Sequence, residues 1–188
     1  MAVPILRHPV QVEGSKVFTG PTPEHPDREI IKSLESFDVI INVSDTPGLS
    51  FETKGLELKA GCKTFWFSIP EAFEWDIGTL DAALTTLDWA QSKNLSVYVH
   101  CHGGACRAPT VCALWTLTRK NASKEQLLAD DNVYAALARR QISWDVIDIL
   151  SKRPLSHYST DGLAAEYNPT WALAHRRLKL TPESIASL

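Results

Sequence analysis

Residues 100–107 read His-Cys-His-Gly-Gly-Ala-Cys-Arg, which sets a thiol at Cys101 and a guanidinium at Arg107 with five residues between them. Five residues can curl into a loop whose backbone N–H groups converge on one centre. Such a nest, continued by the first turn of a helix, binds a tetrahedral oxyanion. Gly103 and Gly104 permit the dihedral angles and the close backbone approach that the loop needs. A sulfur at its floor faces the same amides and helix terminus, which favour thiolate over thiol. Arg107 can hold two oxygens of a phosphate with its planar fork, as lysine cannot. Thiolate, anion nest and guanidinium are the parts needed for in-line attack on phosphorus, giving a phosphocysteine that water then cleaves.

These groups need a strand before them and a helix after them. Leu95–His100 (LSVYVH) is short and apolar enough to be a central strand, and VCALWTLTRK, residues 111–120, has helical length and composition. Strand, glycine-bearing loop and helix form the organisation of an anion site in an α/β sheet. Further strands are expected near Lys16–Thr19, over the β-branched run Val39–Val43 and over Cys62–Ile69. A short helix is expected over Ile30–Leu34, and turn chemistry over Asp45–Gly48. Ile77–Ser92 predicts a helix with one apolar stripe of Leu80, Ala83, Leu84, Leu87 and Ala90. Beyond Lys120 helices are expected over Ala122–Ala138 and Ser143–Lys152, with Asn121 or Ser123 and Ser143 as N-caps. Pro154, Gly162, Pro169 and Pro182 interrupt the remainder, where only Thr170–Leu178 reads as helical. The fold expected is α/β: a central, mainly parallel sheet flanked by helices on both faces, with the anion loop at a strand's carboxyl end.

A chain of 188 residues predicts one domain with its own core, and 44% apolar with 22% charged residues is ordinary for a globular protein. A net charge of −3 gives no broad attraction to nucleic acid or to an anionic membrane. The sequence has no apolar run of the roughly 20 residues that cross a bilayer. Met1–Val10 lacks the apolar stretch of a secretory signal, so the cytoplasm is the expected compartment. Cys62, Cys101, Cys106 and Cys112 then read as free thiols, with Cys62 and Cys112 as buried small hydrophobes. No metal is expected, because a strand points His100 and Cys101 to opposite faces and the spacing through His102 and Cys106 does not suit tetrahedral zinc. Trp66, Trp75, Trp89 and Trp115 read as core, although Phe73 and Trp75 also stand where they could line a pocket mouth.

The loop resembles the signature of the protein tyrosine phosphatase superfamily: a histidine–cysteine pair, five residues and an arginine, with glycine three after the cysteine. His100, Cys101, Gly104 and Arg107 match. Val17-Phe18-Thr19-Gly20, Val39–Ser44 (VIINVS) and Arg107–Thr110 (RAPT) resemble three further segments of the dual-specificity branch. The resemblance spans residues 15–153 as a phosphatase domain, with 1–14 as a lead-in and 154–188 as a C-terminal extension packed on it. It implies a cysteine-dependent phosphomonoester hydrolase without cofactor, acting on phosphorylated protein tyrosine, serine or threonine or on a small phosphoester. The alternatives are a phosphate-binding pseudophosphatase and a phosphatase of glucan or RNA 5′-phosphate.

By the same resemblance Cys101 is the nucleophile, and His102, Gly103, Gly104, Ala105, Cys106 and Arg107 bind phosphate. His100 supports the loop by hydrogen bonds. The family's general acid stands in an upstream loop, here Ser68–Asp76. Glu71 is closest to the expected place, with Asp76, which could instead cap the helix at Ile77, and Glu74 as alternatives. Ala108 departs from the family's serine or threonine after the arginine and predicts slower breakdown of the phosphocysteine. Cys106 stands where a second thiol could capture an oxidised Cys101 as a disulfide. Residues Gly103–Cys106 carry none of the lysines that phosphoinositide readers of this class often have.

Overall fold

Strand order explains how the loop is held. In the computed structural model, residues 10–12, 14–22, 34–45, 62–70, 77–129 and 147 are described. Five strands form one sheet: β1 (Val10–Gln11), β2 (Val17–Pro21), β3 (Val39–Asn42), β4 (Lys63–Trp66) and β5 (Val97–Cys101). Their order is β1-β2-β5-β3-β4. β1 is antiparallel to β2, and the pairings β2–β5, β5–β3 and β3–β4 are parallel. The mainly parallel sheet is thus as expected, with β5 at its centre and buried along its whole length, as strands covered on both faces are. β1 falls within the expected lead-in and is nevertheless hydrogen-bonded into the sheet.

Side-chain alternation gives the sheet two different faces. Val17, Val39, Ile41, Val97, Val99 and Cys101 point into the larger core cluster. They meet α1 (Ile77–Ser92) and α2 (Arg107–Arg119), which supply Leu80, Leu84, Leu87, Val111, Leu114 and Trp115. Ile40 and Tyr98 point the other way, against Leu34, Phe37 and Phe18. Leu34 itself is helical. The expected apolar stripe of α1 is fully buried. α1 and α2 are joined by ion pairs of Arg119 with Asp81 at 3.4 Å and Asp88 at 3.2 Å. Trp115 Nε1 also donates to Asp88 at 2.8 Å.

The ends of the elements place β5. After α1, Asn94 takes a left-handed conformation (φ 57°) and its N–H bonds to Gln91 O, a helix C-terminus closed by an asparagine. Ser96 then donates from both N and Oγ to Asp38 Oδ2, at 2.8 and 2.9 Å, which sets β5 beside β3. α2 starts at Arg107, four residues earlier than the run from Val111 suggested. Pro109 is compatible with that start, since the N–H it lacks would have no helical partner in the first turn. The N–H and hydroxyl of Thr110 both donate to Cys106 O, at 2.9 and 2.7 Å.

α3 (Lys124–Ala129) is capped by Ser123. The Gln126 N–H donates to Ser123 Oγ and Ser123 N–H to Gln126 Oε1, a reciprocal capping box. Asn121, the other cap expected, instead takes a left-handed φ of 54° after α2. Ile30, Ser143 and the helix expected over Thr170–Leu178 lie outside the described residues; Ile147, within the one expected over Ser143–Lys152, is helical and buried. Among the described residues no helix is long and apolar enough to cross a membrane.

Candidate active site

β5 ends on Cys101, the loop occupies 102–106 and α2 opens on Arg107. Cys101 and Arg107 are each 2% exposed, whereas His102 and Gly103 are exposed. The side chains of His100 and Cys101 lie on opposite faces, as expected of consecutive strand residues. His100 stacks on Tyr98, which stacks in turn on Phe37, with ring centroids 5.7 and 5.2 Å apart. Cys101 faces the larger core.

Beyond the carboxyl ends of the two strands that flank β5, one residue contacts the nucleophile segment and another the arginine that opens α2. From β2, the Thr22 N–H donates to His102 O at 3.0 Å and the Thr22 hydroxyl to Cys101 O at 2.8 Å. Gly104 packs on the same segment with φ +64°, and a Cβ there would fall 2.4 Å from Pro21 N and 2.5 Å from Gly20 C. Tyr98 Oη donates to Pro21 O at 2.6 Å and so holds the backbone that Gly104 rests on. Gly103 differs from its neighbour: a Cβ there meets nothing within 4 Å, and its φ is not left-handed. Of the two glycines, Gly104 alone takes a left-handed φ and packs tightly on another backbone segment.

From β3, Asn42 Oδ1 accepts from Ser44 N and Ser44 Oγ, at 2.9 and 2.6 Å, and shapes the chain leading to Asp45. Asp45 Oδ1 accepts a hydrogen bond from Arg107 Nη1 in a charged pair. The same Nη1 donates to Ile69 O at 3.2 Å. Both hydrogens of that nitrogen are therefore engaged, and the edge formed by Nε and Nη2 is the one left to grip a phosphoryl group. Ile69 lies in the stretch Ser68–Asp76 expected to carry the general acid, whose described residues, 68–70, thus pass beside the guanidinium. Glu71, Glu74 and Asp76 themselves lie outside the described residues.

All four cysteines are free thiols. Burial above all, and the nearness of Cys101, push the Cys112 thiol up to about 12, so it remains protonated at neutral pH. Cys62 is half-buried and donates to Leu34 O at 3.2 Å. Ala108 is fully buried at the start of α2. Two residues that touch the loop carried no signal of their own. Thr22 stands in a proline-rich stretch, and Asp45 reads as a turn residue.

A family model described as "Swiss Army Knife protein, DSP-PTPase phosphatase domain" (PTP-SAK) matches residues 22–146, more than half of the chain. The chain belongs to this family. PTP-SAK is a family of the cysteine-based, dual-specificity type, and the segment it covers here runs from Thr22 past the end of α3. No curated protein sequence matches the chain. Among solved structures it is similar to a mutant form of Tk-PTP, with TM-score 0.64 and 20% identity, covering 77% of this chain and 95% of that one. It is also similar to PTPMT1 in complex with PI(5)P, at 0.54 and 20%, covering 72% and 90%. A third is the core catalytic domain of the PP-IP phosphatase SIW14 from S. cerevisiae, at 0.54 and 15%, covering 79% and 84%. These likenesses establish that this PTP-SAK chain has the dual-specificity phosphatase fold.

Proposed function

We propose that this chain hydrolyses phosphomonoesters through a phosphocysteine, with phosphorylated protein side chains as substrate. The observation that carries this reading is the sequence from buried Cys101 to buried Arg107 across one strand–loop–helix junction. Cys101 attacks phosphorus, the S–P bond forms as the P–O bond to the leaving group breaks, and Glu71 gives that oxygen its proton. Water then attacks phosphorus and loses a proton to the same carboxylate, and the S–P bond breaks to regenerate the thiolate. The amides of residues 102–107 and the Nε–Nη2 edge of Arg107 hold the phosphoryl oxygens throughout. Asp76 is the second choice for the acid. No metal takes part in this scheme.

A protein substrate is favoured by the loop's composition, since Gly103–Cys106 supplies no cation for a second phosphate. A polyphosphorylated inositol or lipid headgroup is the second reading, favoured by fold neighbours solved with PI(5)P or described as a PP-IP phosphatase.

The test is para-nitrophenyl phosphate hydrolysis in EDTA by wild type, Cys101→Ser and Glu71→Gln. The serine variant is expected to lose about a thousandfold or more of the activity, and the glutamine variant about a hundredfold together with the basic limb of the pH profile. Full activity in Cys101→Ser refutes the nucleophile. Phosphotyrosine and phosphothreonine peptides, a phosphatidylinositol phosphate and an inositol pyrophosphate, compared by kcat/KM, separate the two substrate readings.

A further inference from the structure

Thr22 is buried at the end of β2 and touches three consecutive residues of the nucleophile segment. Its Oγ1 is 2.8 Å from Cys101 O and 3.3 Å from His100 Nδ1, and its N–H donates to His102 O at 3.0 Å. A threonine hydroxyl has one proton, and a carbonyl oxygen can only accept. The 2.8 Å contact with Cys101 O therefore takes that proton, since two oxygens so close without a hydrogen between them would repel. The His100 contact is then a hydrogen bond only when Nδ1 carries the proton and Thr22 Oγ1 accepts it.

The peptide bonds here are trans, so each C=O points opposite to the N–H of the next residue. Turning Cys101 O and His102 O toward Thr22 turns the His102 and Gly103 N–H groups to the side away from β2. Two amides at the start of the anion nest are thus aimed by one residue of a neighbouring strand. We infer that Thr22 is the positioning residue of the phosphate site: it fixes His100 as the Nδ1–H tautomer and orients the first amides of the loop through the Cys101 and His102 carbonyls. The relay runs from His100 Nδ1–H to Thr22 Oγ1 and from Thr22 O–H to Cys101 O, with each bond polarising the next in a nearly water-free setting. The inference rests on the proposed phosphate-binding role of the loop.

Thr22→Val keeps the shape and removes the hydroxyl, and Thr22→Ser keeps the hydroxyl. Vanadate, a tetrahedral oxyanion, is the probe, with ¹⁵N NMR of the His100 ring as an independent readout. Wild type is expected to show the Nδ1–H tautomer. Thr22→Val is expected to lose that preference and to bind vanadate roughly three- to tenfold more weakly, and Thr22→Ser to restore both. A wild-type His100 protonated on Nε2 alone overturns the inference and needs no variant, so a Thr22→Val protein that does not fold leaves it open to refutation. Unchanged vanadate affinity in folded Thr22→Val also overturns it. Wild type that binds vanadate but hydrolyses no ester refutes the hydrolase reading instead and leaves the Thr22 result standing.

Discussion

Gly103 and Gly104 are adjacent and chemically identical, yet the backbone asks different things of them. Gly104 combines a left-handed φ with backbone atoms of Gly20 and Pro21 inside the reach of any Cβ. Alanine there adds the left-handed penalty of about 1–2 kcal/mol to a clash with main chain that cannot rotate aside. Gly104→Ala is expected to lose vanadate binding and at least about 2 kcal/mol of stability, measured by calorimetry on the oxyanion and by urea unfolding. Gly103→Ala meets open space at an ordinary φ and is expected to stabilise the fold by about 0.4–1 kcal/mol through the unfolded state. Equal losses in the two variants would contradict the assignment of the close contact to Gly104.

β3 carries an aspartate beyond each end, and each ties a different part of the β5 unit. At the carboxyl end Asp45 pairs with Arg107; it is 33% exposed and the arginine 2%. Asp45→Ala frees the guanidinium to turn from the site. After allowing for exposure the loss is about 1.4 kcal/mol, or about tenfold in KM, with a smaller change in kcat. Asp45→Asn still offers an oxygen to Nη1 and is expected to recover most of it. A change confined to the basic limb of the pH profile would instead make Asp45 the proton donor. At the amino end, hydrogen bonds from Ser96 N and Oγ hold the Asp38 carboxyl below the usual carboxylate range. Because this group is easier to ionise in the folded than in the unfolded chain, its stabilisation is present above about pH 4 and lost as pH falls through the lowered value. The stability difference between wild type and Asp38→Asn is therefore expected to shrink below about pH 4 in urea titrations at several pH values.

At the scale of the whole molecule, what was legible in the sequence is what is local in it. Cys101 and Arg107 lie on one short stretch, so spacing alone linked the thiol, the glycines and the guanidinium. The α1 stripe was legible because a helical period repeats within 16 residues. Thr22 and Asp45 were not legible as loop partners, because they act across separations of 79 and 62 residues. Their meeting with the loop depends on β5 lying between β2 and β3, and no run of hydrophobic residues records strand order. α2 begins ahead of the apolar run from Val111 because Pro109 fits the first turn of a helix, where the N–H it lacks would have no helical partner.

That strand order also bears on how the protein assembles. β2 and β3 are not neighbours; they are joined to each other only through β5, which follows both in the chain. An emerging polypeptide that has reached the end of α1 thus holds two halves of a sheet with nothing to join them, β1 with β2 and β3 with β4. The strand that closes the gap is the one that carries the thiol. Completion of the sheet and creation of the proposed anion site are therefore coupled, and a chain stopped short of β5 has neither.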